Sequence, residues 1–307
     1  MDSAYFNDSS DAQMFPPKPK PEGRKGGMIS ISLNFIFYML IYFFFFKSNV
    51  KFLVAILLVM FIHEFGHFVV MKRYGYSDKR LFFIPFMNMF LGQDDYQITL
   101  KQKLLILFFG PVPGIIMGMA ALYFGHTKEN SELVVLGCVF LSWNLINLFP
   151  LDSLDGGQLS ESLFSKQNFM IQFVSTIVIC VIITAFVVIS RQVIFMIIPV
   201  FLGMRMQSLN KMRGLRKKLE AKGIDWKLNY QEMNNKQYWL MRKELLSMSS
   251  LPAPVDSGNE FTESIYESMI MQNIKSVLLN PPYNDLGKNG RIGILILWAT
   301  LFIAPVT

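Results

Sequence analysis

The stretch Phe61–Val70, FIHEFGHFVV, sets two histidines and a glutamate among apolar residues. Its His-Glu-x-x-His order is a metal-site pattern. On a helix, residues four apart share a face, so His63 and His67 can both offer imidazole nitrogens to one ion. Glu64 then stands beside that ion, where its carboxylate can serve as base toward a water. The chain has three histidines in all, and two of them form this pair. The pair lies within an apolar run, residues 51–71, and a membrane-crossing helix needs about 20 such residues. Ionisable groups at membrane depth cost a few kcal/mol each even on lenient scales, which argues for a use.

A catalytic zinc takes three protein ligands and leaves a fourth position for water. His126 is the remaining histidine, but the alternation of the spans puts it across the membrane. His63 lies roughly nine residues, about 13 Å, from the cytoplasmic end of its helix. Better placed is NLFPLDSLDGGQ, at the cytoplasmic end of a later span, with Asp152 and Asp155 as candidate third ligands. Pro150 stops a regular helix there, and Gly156–Gly157 permit a tight turn that lets a carboxylate reach back.

The elements that must position these groups are membrane helices. Of 307 residues, 52% are hydrophobic and 17% charged. That is too little charge for a soluble domain of this size, and the apolar residues come in blocks. Apolar spans are expected at 28–46, 51–71, 104–124, 133–150, 169–189 and 192–205, with a further apolar segment at 291–306. The net charge of +7 reflects topology rather than nucleic-acid binding, because the basic residues flank spans. Lys18, Lys20, Arg24 and Lys25 place the N-terminus in the cytoplasm. Lys72, Arg73, Lys79 and Arg80 then mark the cytoplasmic exit of the second span, and RMQSLNKMRGLRKKLEAKG that of the sixth. Cys138 and Cys180 lie in apolar runs and suggest no disulfide framework. The fold class expected is an all-α integral membrane protein of six to seven transmembrane helices. Residues 1–27 form a disordered cytoplasmic tail, 28–206 the transmembrane domain with its core at about 50–160, 207–290 a mostly helical cytoplasmic region, and 291–307 a terminal transmembrane or re-entrant segment. RLFFIPFMNMFLG, Arg80–Gly92, is too short to span as a helix and suits a re-entrant hairpin or an interfacial loop.

HEFGH within one membrane helix, followed at the end of a later one by Asn147, Pro150, Leu154, Asp155 and Gly156, resembles the site-2 protease family of intramembrane zinc metalloproteases. FGPVPGIIMG is similar to that family's Gly-Pro segment, and its Gly110, Gly114 and Gly118 make a small-residue face for helix packing. The resemblance implies one zinc held by His63, His67 and Asp155, with Glu64 as general base and Asn147 as a polar group that orients substrate or oxyanion. It leaves Asp152 as a solvated loop acid. It implies a three-helix core and a membrane-embedded β-hairpin at 80–92, whose Phe82, Phe83, Ile84, Pro85 and Phe86 would hold an unwound substrate by strand addition. Partners are then a transmembrane protein or peptide substrate and the lipid bilayer, with no nucleic acid. The small core and the lack of a compartment signal suggest a bacterial cytoplasmic membrane, and the charge pattern an active site toward the cytoplasm. Two departures stand out: no PDZ-sized insertion interrupts the core, and 207–290 does not look like paired nucleotide-binding modules. Two other readings are a metal transporter, which usually adds a ligand-rich neighbouring helix, and an inactive relative that binds membrane proteins, against which the intact motifs argue.

Overall fold

The computed structural model describes residues 15–20, 50–76, 98–152, 154–164, 168–248, 264, 266–278 and 282–305. The expected first span, 28–46, and the hairpin segment with Phe82–Phe86 lie outside the described residues. In chain order the helices are α1 Val50–Arg73, α2 Leu100–Phe109, α3 Pro111–Thr127, α4 Ser131–Asn147, α5 Asp155–Leu163, α6 Asn168–Ser190, α7 Ile197–Ala221, α8 Asn235–Met248, α9 Glu267–Val277 and α10 Lys288–Ile303. Among the described residues there is no strand beyond a single bridge between Thr99 and Tyr283. The chain divides into two compact units, one of Lys25–Pro199 with Pro282–Thr307, the other of Met1–Arg24 with Val200–Pro281.

Among the described residues of the first unit, three helical stretches are long and apolar enough to cross a membrane: α1, α2 running on into α3, and α6; α4 is apolar but shorter. The expected span at 192–205 is not a separate helix. Arg191, with φ 55°, ends α6; a 3₁₀ turn at Val193–Met196 follows, and then α7 carries the apolar residues straight into the basic sequence. Pro199 falls in the first turn of α7, where its missing N–H breaks no helical bond.

α1 separates its faces cleanly. Val59, Met60, His63, Gly66, His67, Val70 and Met71 are buried, whereas Val54, Leu58, Phe61, Phe65 and Val69 are exposed along the opposite side. Lys51 near the start of α1 pairs with Glu132 near the start of α4 at 2.5 Å. The same number of residues further along each helix, His63 meets Asn144. The two helices therefore run parallel and in register, as alternate spans must. Between them α3 returns antiparallel, pressed against α4 by glycines: a Cβ on Gly118 would sit 2.9 Å from Leu141, and one on Gly137 2.9 Å from the Gly118 carbonyl. The small-residue face expected at 110–118 is thus a packing face. Leu104, Leu107 and Phe108 of α2 share a core with Ile115, Leu141, Leu148, Leu159 and Leu163. The terminal segment packs on this core as α10, where Trp298 donates to the Leu148 carbonyl at 3.0 Å. Its approach is fixed by Tyr283, which exchanges backbone bonds with Ile98 and Leu100.

The second unit has a core of its own, built from Leu215, Leu219, Tyr230, Tyr238, Trp239, Met241, Leu245, Ile270 and Ile274. Arg242 and Glu267 are buried within it at 3% and 6% exposure, joined at 2.9 Å. Tyr238 donates to the same carboxylate at 2.5 Å. Burial, and then this bond, pushes the Tyr238 hydroxyl far above its usual range, so it stays a donor. The expectation of a structureless N-terminal tail fails for Phe15–Lys20, which lies against this core with Phe15 5% exposed. The reason is that Phe15 brings an apolar anchor into an otherwise polar stretch. Removing one member of a buried pair strands the other charge. Arg242→Met is therefore expected to cost about 3–5 kcal/mol, read as a fall in the denaturation midpoint followed by tryptophan fluorescence.

Candidate metal centre

His63 and His67 sit one turn apart on the buried face of α1, at 4% and 3% exposure, and Asp155 reaches them from the first turn of α5 at 9%. The two Nε2 atoms are 3.2 Å apart. Asp155 Oδ2 lies 3.1 Å from His63 Nε2 and 3.3 Å from His67 Nε2. Among the described residues these three form the group that could hold a metal ion.

Hydrogen bonds behind the rings decide what faces inward. Asn144 donates its Nδ2–H to the Phe140 carbonyl at 2.8 Å, so its Oδ1 is the atom 2.8 Å from His63 Nδ1. An amide oxygen only accepts, which puts the His63 proton on Nδ1. His67 Nδ1 lies 2.8 Å from the Ile106 carbonyl, and the same reasoning puts its proton there. Both neutral rings therefore present Nε2 lone pairs toward the carboxylate. Asp155 Oδ2 is buried without a hydrogen-bond partner, as is Glu64 Oε2. Three acceptors facing one another in a buried site repel unless a cation lies among them. Two imidazoles and a carboxylate suit zinc. The edges of the triangle are close to the about 3.3–3.4 Å expected for a tetrahedral face with 2.0–2.1 Å bonds.

The backbone is shaped around this triangle. A Cβ on Gly110 would lie 2.3 Å from the His67 ring, and one on Gly114 2.1 Å from Asn144 Nδ2. A Cβ on Gly66 would meet the Phe109 carbonyl at 1.9 Å, so α1 and α2 cross almost backbone to backbone. Asp155 arrives by a short return. α4 stops at Asn147, Leu151 and Leu154 close successive turns, and α5 begins at Asp155. Gly156 and Gly157 were expected to permit the turn. They stand instead in the first turn of α5, where Cβ atoms would lie 2.0 Å from the Leu148 carbonyl and 1.9 Å from that of Leu151. Their role is close approach.

Glu64 follows His63 on α1 and lies within electrostatic reach of all three ligand candidates. His126, at the far end of α3, and Asp152 are outside the group. Asn147 donates to the Trp143 carbonyl at 3.0 Å, and no hydrogen bond joins it to the triangle. Asn144 is the residue that sequence reasoning passed over. Its signal was an amide inside an apolar helix, 0% exposed, one turn before Asn147.

Residues 51–130 match the family model described as peptidase family M50. Stage IV sporulation protein FB of Bacillus subtilis (strain 168) is 31% identical over 127 residues, which cover 39% of this chain and 42% of that protein. The chain thus spans less than half the length of the curated relative it matches. No solved structure matches. The family match includes His63, Glu64 and His67 and ends before Asn144 and Asp155, which the fold brings to them.

Second-sphere partners of metal histidines are worth about 10–100-fold in metal affinity. Asn144→Leu is expected to weaken zinc by that factor in a chelator competition titration while leaving the helical content intact. Gly156→Ala, which pushes α5 off the end of α4, is expected to lower both metal retention and melting temperature.

Proposed function

We propose, from the match of residues 51–130 to peptidase family M50, that the chain is an intramembrane zinc metalloprotease that cuts peptide bonds within or near transmembrane helices of membrane proteins. The single observation that carries this reading is the buried His63–His67–Asp155 triangle with the unpartnered Glu64 carboxylate oxygen beside it. When bound there, zinc polarises the scissile carbonyl and makes a water acidic enough to lose its proton near neutral pH.

The chain's own groups do the rest. His63, His67 and Asp155 hold the ion, and Asn144 and the Ile106 carbonyl fix the two rings in the tautomer that offers Nε2. Glu64 accepts a proton from the attacking water and returns it to the leaving amine nitrogen. Burial of its Oε2 keeps bulk water from competing for that role. Substrate reaches the site as a helix whose carbonyls are tied up in i to i+4 bonds, so it must unwind locally before attack. Phe82–Phe86 are assigned, by resemblance alone, to holding that unwound stretch, and Asn147 to orienting it. The exposed apolar stripe of α1 supports a lipid-embedded setting. Charge placement favours an active site toward the cytoplasm of a bacterial cell.

The test is processing of epitope-tagged single-span proteins co-expressed with the chain. Glu64→Gln is expected to slow cleavage by about 10²–10⁴-fold, the range of general acid–base catalysis, with zinc content unchanged. Wild-type cleavage by that variant would rule out Glu64 as the base.

A further inference from the structure

The segment Phe15-Pro16-Pro17-Lys18-Pro19-Lys20 lies against the unit of Val200–Pro281, and the contacts follow a period of three. Phe15 is buried and Lys18 half-buried, Pro16 and Pro19 are half-buried, and Pro17 and Lys20 are exposed. Three residues per turn is the repeat of a polyproline II helix, which three prolines in five residues favour. Such a helix makes no internal hydrogen bonds, so its carbonyls are free for a receptor. Here the receptor supplies aromatic donors at that same spacing. Trp239 Nε1 donates to the Pro16 carbonyl at 2.7 Å, and the Tyr230 hydroxyl donates to the Pro19 carbonyl at 2.8 Å.

Lysine is read as well. Lys18 donates its backbone N–H to Asn235 Oδ1 at 3.0 Å. Its ammonium donates to the carbonyls of Tyr230 at 2.5 Å, Gln231 at 3.0 Å and Met233 at 2.5 Å, and lies 5.0 Å from the centre of the Tyr230 ring. An ammonium has three N–H donors, and all three are met by a preformed ring of main-chain acceptors. A neutral or shorter side chain would leave those carbonyls unmet. Nothing in zinc-dependent proteolysis uses this groove.

We propose that the unit of Val200–Pro281 is a peptide-recognition module for an extended aromatic-Pro-Pro-Lys-Pro segment, and that Phe15–Pro19 is its resident ligand, bound in cis. A tethered ligand acts at an effective concentration in the millimolar range, so the groove stays closed to weaker free peptides until the segment leaves.

The test uses the full chain in detergent micelles and a fluorescent peptide covering residues 12–23, followed by anisotropy. A chain carrying Phe15→Ala and Lys18→Ala together has a vacated groove and is expected to bind the peptide at least about tenfold more tightly than the wild type does, because tethering no longer competes. The same peptide with its Lys18 replaced by glutamine is expected to lose most of that binding. In the vacated background, Trp239→Phe keeps a ring but removes the donor, and is expected to weaken binding severalfold. Failure of a folded, vacated chain to bind the peptide overturns the proposal. So does loss of the module's cooperative unfolding transition when the segment is mutated, since the segment would then be a fixed part of its core. Neither outcome bears on Glu64 or on cleavage, so the two proposals fail separately.

Discussion

Three acceptor atoms held to within 3.3 Å of one another in a buried site impose a demand on everything around them. The Asn144 amide and the Ile106 carbonyl each hold a ring proton on Nδ1, which turns the Nε2 lone pairs of His63 and His67 toward Asp155 Oδ2. With both tautomers fixed from behind, the three atoms are arranged as a metal ion would take them. The packing serves that end. Gly110 leaves room for the His67 ring and Gly114 for the Asn144 amide, while Gly66 lets α1 lie against the end of α2. Parallel register between α1 and α4 sets Asn144 at the height of His63. These contacts cost side-chain burial at three glycine positions. The offset is a site whose two rings are held in place, one by the buried Asn144 amide and one by the Ile106 carbonyl.

Much of this could be read from residue types. His63, Glu64 and His67 declare themselves by spacing, and their apolar flanks raise the meaning of the match because charge at that depth is expensive. Asp155 was one of two acids on residue grounds, and only the resemblance chose it. In the fold α5 starts at Asp155, beside the two histidines, and Asp152 lies in the return. Asn144 was not legible. An asparagine in an apolar helix signals a buried partner, but nothing in a single sequence says which ring lies across the gap. The glycines were legible as packing residues but not as neighbours of His67 and Asn144, since that depends on the crossing of α1 with α2.

The failures were also physical. The apolar stretch at 192–205 read as a span by composition; a 3₁₀ turn and the first turns of α7 share it, and the helix continues past it to Ala221, a continuity that composition did not show. The Pro- and Lys-rich N-terminal stretch read as disordered because low hydrophobicity and charge give no core of their own. A segment with little to bury by itself can still borrow a core, as Phe15 does from Tyr238, Trp239 and their neighbours. The same three-residue rhythm that excludes helix and strand is what suits it to an aromatic groove.

For the chain to act as a zinc protease, two distant motifs must surround one ion. Metal content of the purified chain, measured beside Asp155→Ala and Asp152→Ala, addresses that directly. The expected result is about one zinc per chain in the wild type and in Asp152→Ala, and almost none in Asp155→Ala, as a three-ligand site requires. Zinc retained in full by a folded Asp155→Ala chain would contradict the account, because the carboxylate that closes the triangle would then not be a ligand.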